Sequence, residues 1–175
     1  MSKELGRDRD SVDLALASPE ASTKYAGDDP TYIGVISRLF RICAHLDRRA
    51  SEVFKPHGIT RGEADVLASL YRVGDSLAPT VLADALLCSP GAMTNRLNRL
   101  EHAGLIRRVV VPADKRSYSI SLTPEGKRVI VAALRDRKAS HARLIPALSR
   151  KEREQLIPLL RKLLFAMESE ASTHV

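Results

Sequence analysis

One short segment, LLCSPGAMTNRLNRLEHAGLIRR at Leu86–Arg108, constrains the fold more than any other part of the chain. Ser89 followed by Pro90 is typical of the start of a helix, and Gly104 is typical of its end. Between them, apolar residues recur at helical spacing, at Met93, Leu97 and Leu100. The opposite side carries amide, hydroxyl and small side chains, whereas a solvated helix face more often carries Glu and Lys. The segment therefore predicts an amphipathic helix whose second face is suited to recognition.

Two helical patterns precede this segment. Thr60 and Glu63 have the spacing of a capping box, which predicts the start of a helix that Gly74 is expected to end. A shorter helix is predicted within SLAPTVLADALL, residues 76–87. Only a few residues separate this short helix from the one that begins after Ser89. The sequence therefore predicts a pair of closely connected helices.

An alternating pattern follows the segment. Apolar residues alternate with serines at period two, at Tyr118, Ile120 and Leu122. We expect this strand to pair antiparallel with residues 106–111 across the basic turn PADKR, residues 112–116. The predicted fold class is mainly α with a small antiparallel β-hairpin that forms a wing beside the helix pair.

Longer helices are predicted on both sides of this unit. One begins at Pro30 and ends before Pro56, and another begins after Thr123. A last helix contains Pro158, which is expected to kink it. Residues 1–29 show no sustained periodicity and are interpreted as an N-terminal arm, in which DSVDLALA would form a short helix.

The charge of the chain is uneven. Of the net +7, residues 1–30 contribute four basic and seven acidic side chains, so the remainder carries +10. Residues 89–128 hold eight basic and three acidic side chains. Such a surface attracts polyanions, and nucleic acid is one of them. Two cysteines without a disulfide framework, and no apolar signal or spanning segment, favour a reducing cytoplasm and no membrane partner.

The polar face after Ser89 has the chemistry of a duplex-reading surface. Amides exchange hydrogen bonds with base edges in the major groove, and hydroxyls at a helix N-terminus bind phosphates. Small residues let the backbone approach the duplex. At the wing, Lys115 and Arg116 are expected to enter the minor groove. Asp114 would either orient Arg116 through an ion pair or simply initiate the turn. The predicted contacts with double-stranded DNA are Ser89, Pro90, Gly91, Ala92, Thr94, Asn95, Asn98, Arg99, Lys115 and Arg116.

Two segments together resemble the MarR family of bacterial transcription regulators: LADALLCSPGAMTNRLNRLEHAGLIRR and PADKRSYSISLTPEGKRV. The resemblance covers about residues 30–170 and includes a DxR wing motif at Asp114 and Arg116. It implies a winged helix-turn-helix with N- and C-terminal dimerisation helices, acting as a homodimer on a palindromic operator. The implied DNA-binding lobe is at about 59–123, with dimerisation helices at about 30–57 and 124–170.

Two shorter segments are similar to the branch of this family that binds urate or related anions: GEADVLASL and SPGAMTNRLNRLE. The similarity implies that Asp65, Arg96 and Arg116 bind an effector or couple it to the DNA-binding lobe. The chain has no tryptophan, whereas that branch stacks its ligand on one. A different small anion, a carboxylate or a phenolic acid, is therefore an equal expectation for a ligand-responsive repressor.

Three other functions are also compatible with the sequence. Residues 86–108 also suit a redox-sensing regulator, because the dipole of the predicted helix favours a thiolate at Cys88 and oxidation there would disturb DNA docking. A winged-helix protein–protein adaptor and a non-specific architectural DNA protein remain alternatives. The chain lacks GxSxG, HExxH and glycine-rich phosphate-loop motifs, so no enzymatic activity, cofactor or metal site is expected.

Overall fold

The computed structural model describes residues 12–13, 30–111 and 114–173. The chain divides into two compact units, Met1–Asp65 and Val66–Val175. Its elements in chain order are α1 (Pro30–Phe54), a 3₁₀ turn (Lys55–His57), α2 (Arg61–Val73), α3 (Pro79–Ala85), α4 (Pro90–His102), β1 (Ile106–Val111), β2 (Asp114–Leu122), α5 (Pro124–Ala142), a second 3₁₀ turn (Ile145–Ala147) and α6 (Arg150–Thr173). Helices with a two-stranded antiparallel sheet confirm the predicted fold class.

The first unit is dominated by α1, which begins at Pro30 and ends before Pro56 as predicted. Of the predicted N-terminal arm, only Val12 and Asp13 are described, and both are helical; the rest of residues 1–29 lies outside the described residues. The Asp13 Oδ1 atom accepts a hydrogen bond of 2.6 Å from Nη2 of Arg38. This ion pair joins the described part of the arm to α1.

The start of α2 confirms the predicted capping box. The backbone N–H of Thr60 donates to Oε2 of Glu63 at 2.7 Å, and the backbone N–H of Glu63 donates to Oγ1 of Thr60 at 3.3 Å. Two otherwise unpaired donors at the helix terminus are thereby satisfied. Gly58, just before the cap, has a φ of +71°, which suits a residue without a Cβ. Helix α2 begins three residues later, at Arg61.

The second unit is built around an apolar core to which α2, α3, α4, the hairpin and α5 all contribute. Its most buried side chains include Leu67, Leu70, Leu82, Met93, Leu97, Leu100, Ile106, Ile120 and Ile130. These residues come from the helical and alternating patterns in the sequence. Burial of one such side chain stabilises the fold by roughly 1.5–3 kcal/mol. The core fixes α4 through one side only.

The hairpin follows the predicted register near its base and departs from the prediction near its tip. Residues 106–110 pair with 122–118 in order, and a shift in register follows Val110. The prediction placed residues 112–116 in a turn, whereas β2 already begins at Asp114. Leu77 adds a one-residue bridge to the sheet, because its N–H donates to Ile120 O at 3.0 Å and its carbonyl accepts from Ile120 N at 2.8 Å. The base of the wing is therefore joined to the segment that precedes α3.

The join between the hairpin and α5 depends on a close backbone contact. Oγ1 of Thr123 accepts from the N–H of Gly126 at 3.0 Å, and the same hydroxyl donates to the carbonyl of Gly104 at 2.7 Å. Thr123 therefore caps α5, which begins after it as predicted, and also binds the segment that follows α4. A Cβ on Gly126 would lie 1.9 Å from the carbonyl oxygen of Leu105. Only glycine fits at this position.

The last helix, α6, continues through Pro158 without ending, and the predicted kink stays a prediction. It begins with a second capping box, in which the N–H of Ser149 donates to Oε2 of Glu152 at 2.7 Å. Hydrogen bonds from the side chain and the backbone of Ser149 lower the pKa of the Glu152 carboxyl. Within residues 12–13, 30–111 and 114–173, no helix is long and apolar enough to cross a membrane.

Candidate nucleic-acid interface

Helix α4 presents two sharply different faces. Met93, Leu97 and Leu100 are each 1% exposed. The residues predicted to contact DNA on this helix lie on the other side: Ser89, Pro90, Gly91, Thr94, Asn95, Asn98 and Arg99 are exposed, and Ala92 is half-buried. An exposed row of amides and hydroxyls on a rigid, core-anchored helix can exchange hydrogen bonds with an approaching duplex.

The connection between α3 and α4 is short and strained. Leu87 has a φ of +47°, a left-handed conformation that costs a residue with a Cβ roughly 1–2 kcal/mol. The N–H of Cys88 donates to the carbonyl of Ala83 at 3.0 Å, and this bond closes the turn. Cys88 itself is half-buried, and its proposed redox role stays a prediction. The tight turn makes α3 and α4 a helix-turn-helix pair.

The start of α4 is capped as the sequence predicts. Oγ of Ser89 accepts from the N–H of Ala92 at 3.3 Å, which leaves the hydroxyl proton of Ser89 available to donate to a phosphate. Thr94 differs, because its hydroxyl donates to the carbonyl of Pro90 at 2.9 Å. The hydroxyl proton of Thr94 must leave this carbonyl before it can be donated to DNA. The two hydroxyls predicted to hold phosphates are therefore not equivalent.

Arg108 on β1 joins the hairpin to the polar face of α4, a contact that the sequence reasoning missed. Its Nη2 donates to Oδ1 of Asn98 at 2.6 Å, and its Nε lies 3.4 Å from Oε2 of Glu101. Its guanidinium carbon is 5.0 Å from the centre of the Tyr118 ring. The signal in the sequence was the alternation of β1, which places Arg108 on the same face as the buried Ile106.

Three predicted wing residues are placed by their backbone only. Asp114, Lys115 and Arg116 lie at the start of β2, but their side chains fall outside the described residues. The ion pair expected between Asp114 and Arg116, and their contact with the minor groove, stay predictions.

The two remaining predicted effector residues fall in different units. Asp65 is half-buried in Met1–Asp65, and its Oδ2 lies 3.8 Å from Nε of Arg61, one helical turn earlier. Arg96 is half-buried on α4 in the second unit, between the core side and the outward side of that helix. Among the side chains that the structure describes, no three His, Cys, Asp or Glu cluster as a metal site would require.

Known proteins resemble this chain over most of its length. A model of the MarR family matches residues 57–117. The HTH-type transcriptional regulator PecS of Dickeya dadantii is 33% identical over 128 residues, covering 72% of this chain and 77% of PecS. The HTH-type transcriptional repressor MdtR of Bacillus subtilis is 34% identical over 119 residues, covering 68% of this chain and 76% of MdtR.

Solved structures agree in fold. The structure of S. aureus MepR in complex with DNA matches with a TM-score of 0.67 at 29% identity, covering 75% of this chain and 95% of MepR. Sco5413 of Streptomyces coelicolor, a MarR family transcriptional regulator, matches with a TM-score of 0.70 at 25% identity, covering 81% and 98%. The chain therefore belongs to the MarR family, whose members are DNA-binding winged-helix transcription regulators and not enzymes.

Proposed function

We propose that this regulator reads a specific operator through the outward face of α4. The observation that carries this proposal is the separation of the two faces: three core side chains 1% exposed behind the helix, and exposed Asn95 and Asn98 in front. Amide side chains discriminate between base edges in the major groove. The hydroxyl of Ser89 and the N-terminus of α4 would bind the flanking phosphates.

The wing completes this reading surface. Lys115 and Arg116 lie at the start of β2 and would reach the minor groove beside the half-site, where Arg responds to groove width. Asp114 would hold Arg116 in position. Phosphate and minor-groove contacts fix the register, while α4 supplies the base readout.

We propose that the active species is a homodimer, with an interface formed by α1, α5 and α6. Support comes from large apolar side chains that stand exposed on two of these helices: Tyr32, Val35, Ile36, Phe40, Ile42 and Leu46 on α1, and Leu156, Ile157, Leu159, Leu160, Leu164, Phe165 and Met167 on α6. Exposed apolar surface of this extent is typical of a protein interface. Two symmetric copies of α4 would recognise a palindrome with half-site centres about 10 base pairs apart.

We further propose that the dimer is a repressor that a small anionic or phenolic ligand releases from DNA in the cytoplasm. Arg96 supports this proposal, because its guanidinium is half-buried and belongs to the reading helix itself. An anion bound to this guanidinium would act directly on α4. Asp65 and Arg116 would transmit binding to the rest of the lobe. A coupling free energy of about 1–3 kcal/mol would change DNA affinity by about 5–150-fold.

Replacing Asn95 with alanine tests the reading role of α4. We expect affinity for the preferred operator to fall by roughly 5–150-fold, since one good base contact discriminates by about 1–3 kcal/mol. Affinity for random duplex should change little, because phosphate contacts dominate there. Fluorescence anisotropy with both duplexes measures the ratio of operator affinity to random-duplex affinity. Gln155→Ala, an exposed amide on α6, is the control; an unchanged ratio in Asn95→Ala would remove this face from recognition.

The effector is tested with Arg96→Gln, using benzoate and 4-hydroxybenzoate as probes. In the unmodified protein a saturating probe should weaken operator binding by about 5–150-fold. Arg96→Gln should bind DNA and lose that response, whereas Arg96→Lys should keep part of it because the positive charge remains. Thermal unfolding of each variant separates loss of ligand from loss of fold. A folded Arg96→Gln protein that responds fully contradicts the role of Arg96.

A further inference from the structure

Arg108 is held by three side chains from α4 and β2. Oδ1 of Asn98 accepts from its Nη2 at 2.6 Å, Oε2 of Glu101 lies 3.4 Å from its Nε, and the Tyr118 ring lies 5.0 Å from its guanidinium carbon. The side chains of Arg108 and Glu101 are 34% and 38% exposed. An ion pair this open to solvent contributes little to stability. These contacts instead fix the orientation of the side chains that Arg108 joins.

The orientation of the Asn98 amide follows from the chemistry of its partner. A guanidinium carries five N–H donors and no acceptor, so only the oxygen of the amide can face it. The NH₂ group of Asn98 must then point away from Arg108. Because Asn98 is exposed on the outward face of α4, this orientation turns the two N–H donors towards a ligand and holds the oxygen on the side of Arg108.

The register of the hairpin explains why Arg108 reaches this position. Arg108 lies opposite Ile120 in the antiparallel pair, and side chains directly opposite share one face of the sheet. Ile106 and Ile120 bury that face against the core. Arg108 follows Ile106 by two residues and leaves the core towards α4. Asn98 and Glu101, three residues apart on α4, present their side chains to it together.

We propose that Arg108 sets the base specificity of Asn98 by making it a donor-only reader. An unrestrained asparagine pairs with adenine through both its oxygen and its NH₂ group. With its oxygen turned towards Arg108, Asn98 favours an edge that presents acceptors without an amino group, which is N7 and O6 of guanine or O4 of thymine. Adenine also presents N7, but its N6–H₂ group would face the NH₂ group of Asn98 without an acceptor. Arg108 is thus a positioning residue that determines specificity without touching the base. The inference rests on the proposed reading role of α4.

The test is an unbiased selection from random duplexes with the full-length protein and four variants. Asn98→Ala identifies the operator position that Asn98 reads, because only that position should lose its preference. At this position the unmodified protein should select guanine or thymine. Arg108→Met, which keeps a long apolar side chain over Tyr118 and removes every donor, should shift the position to adenine or to no preference. Arg108→Lys keeps a donor for Asn98 and should retain the original preference.

The Asn98→Asp variant gives a second test, which does not depend on whether Arg108→Met folds. Aspartate keeps an acceptor for Arg108 but has no donor for a base, so the guanine or thymine preference should disappear. If the selected base is guanine, 7-deazaguanine, which lacks N7, should weaken binding about 10-fold in the unmodified protein and not in Asn98→Ala. If the selected base is thymine, the test uses the base preference alone, which should shift in Arg108→Met and disappear in Asn98→Asp.

Each outcome has one meaning. A selected adenine at the Asn98 position in the unmodified protein overturns the inference, and so does an unchanged preference in folded Arg108→Met or in Asn98→Asp. In those cases the operator is still recovered and the proposed function stands. If the unmodified protein selects no sequence at all, or Asn98→Ala loses no preference, then the reading role of Asn98 fails and the inference fails with it.

Discussion

Replacing Gly126 with alanine is expected to destabilise the protein by about 3 kcal/mol or more, which places it among the severe single substitutions. The added Cβ would lie 1.9 Å from the carbonyl oxygen and 2.8 Å from the carbonyl carbon of Leu105. Both are backbone atoms, so no side-chain rotation relieves the clash. The start of α5 would have to separate from the end of α4. Thermal or urea unfolding should show the loss directly, as a decrease in Tm of roughly 6–12 °C.

The matched control for this prediction is Gly91→Ala on α4. An added Cβ there meets no atom within 4 Å, and the backbone of Gly91 is helical. Alanine should therefore raise the free energy of unfolding by about 0.5–1 kcal/mol, because it restricts the unfolded chain more than glycine does. The two substitutions are chemically identical and should have opposite signs. Similar stability changes in both variants would contradict the close packing of Gly126 on Leu105.

The second large effect concerns assembly. The double variant Phe40→Asp and Phe165→Asp should be monomeric at micromolar concentration, because it places charges in the proposed interface of α1 and α6. These phenylalanines are 73% and 71% exposed in the single chain, so the substitutions leave its core untouched. Loss of the second reading helix should lower operator affinity by roughly 10²–10⁴-fold, the gain expected from linking two binding modules. Sedimentation equilibrium and anisotropy measure the two changes.

Val73→Asp is the control for this experiment. Val73 is 55% exposed at the end of α2, outside the helices proposed to form the interface. The Val73→Asp variant should therefore stay dimeric. A dimeric double variant, or an unmodified protein that is already monomeric at micromolar concentration, would contradict the proposed interface. The former would place the contact elsewhere, and the latter would make recognition of a palindrome by paired helices untenable.

Features determined by a few consecutive residues were predictable from the sequence. The caps at Thr60, Ser89 and Thr123 depend on a hydroxyl and a backbone N–H three residues later, so their signatures are local. The burial of Met93, Leu97 and Leu100 follows from helical period. The base of the hairpin follows from alternation, which places Ile120 inside without reference to the rest of the fold.

Features that depend on distant residues were not predictable. The bridge from Leu77 to Ile120 joins single residues 43 positions apart in the chain, and a one-residue bridge has no period. The contact of Arg108 with Asn98 crosses from β1 to α4, ten residues away, and requires the register of the hairpin to be known. For the same reason Asn98 looked like an unrestrained amide in the sequence, whereas its oxygen is already bound.

The central claim is that the polar face of α4 reads duplex DNA, and unbiased selection from random oligonucleotides with the purified protein tests it most directly. We predict an inverted repeat with half-site centres about 10 base pairs apart. At physiological salt this site should be bound at least about 10³-fold more tightly than random duplex. Enrichment of no sequence over the starting pool, in a protein that is folded and dimeric, would contradict the account.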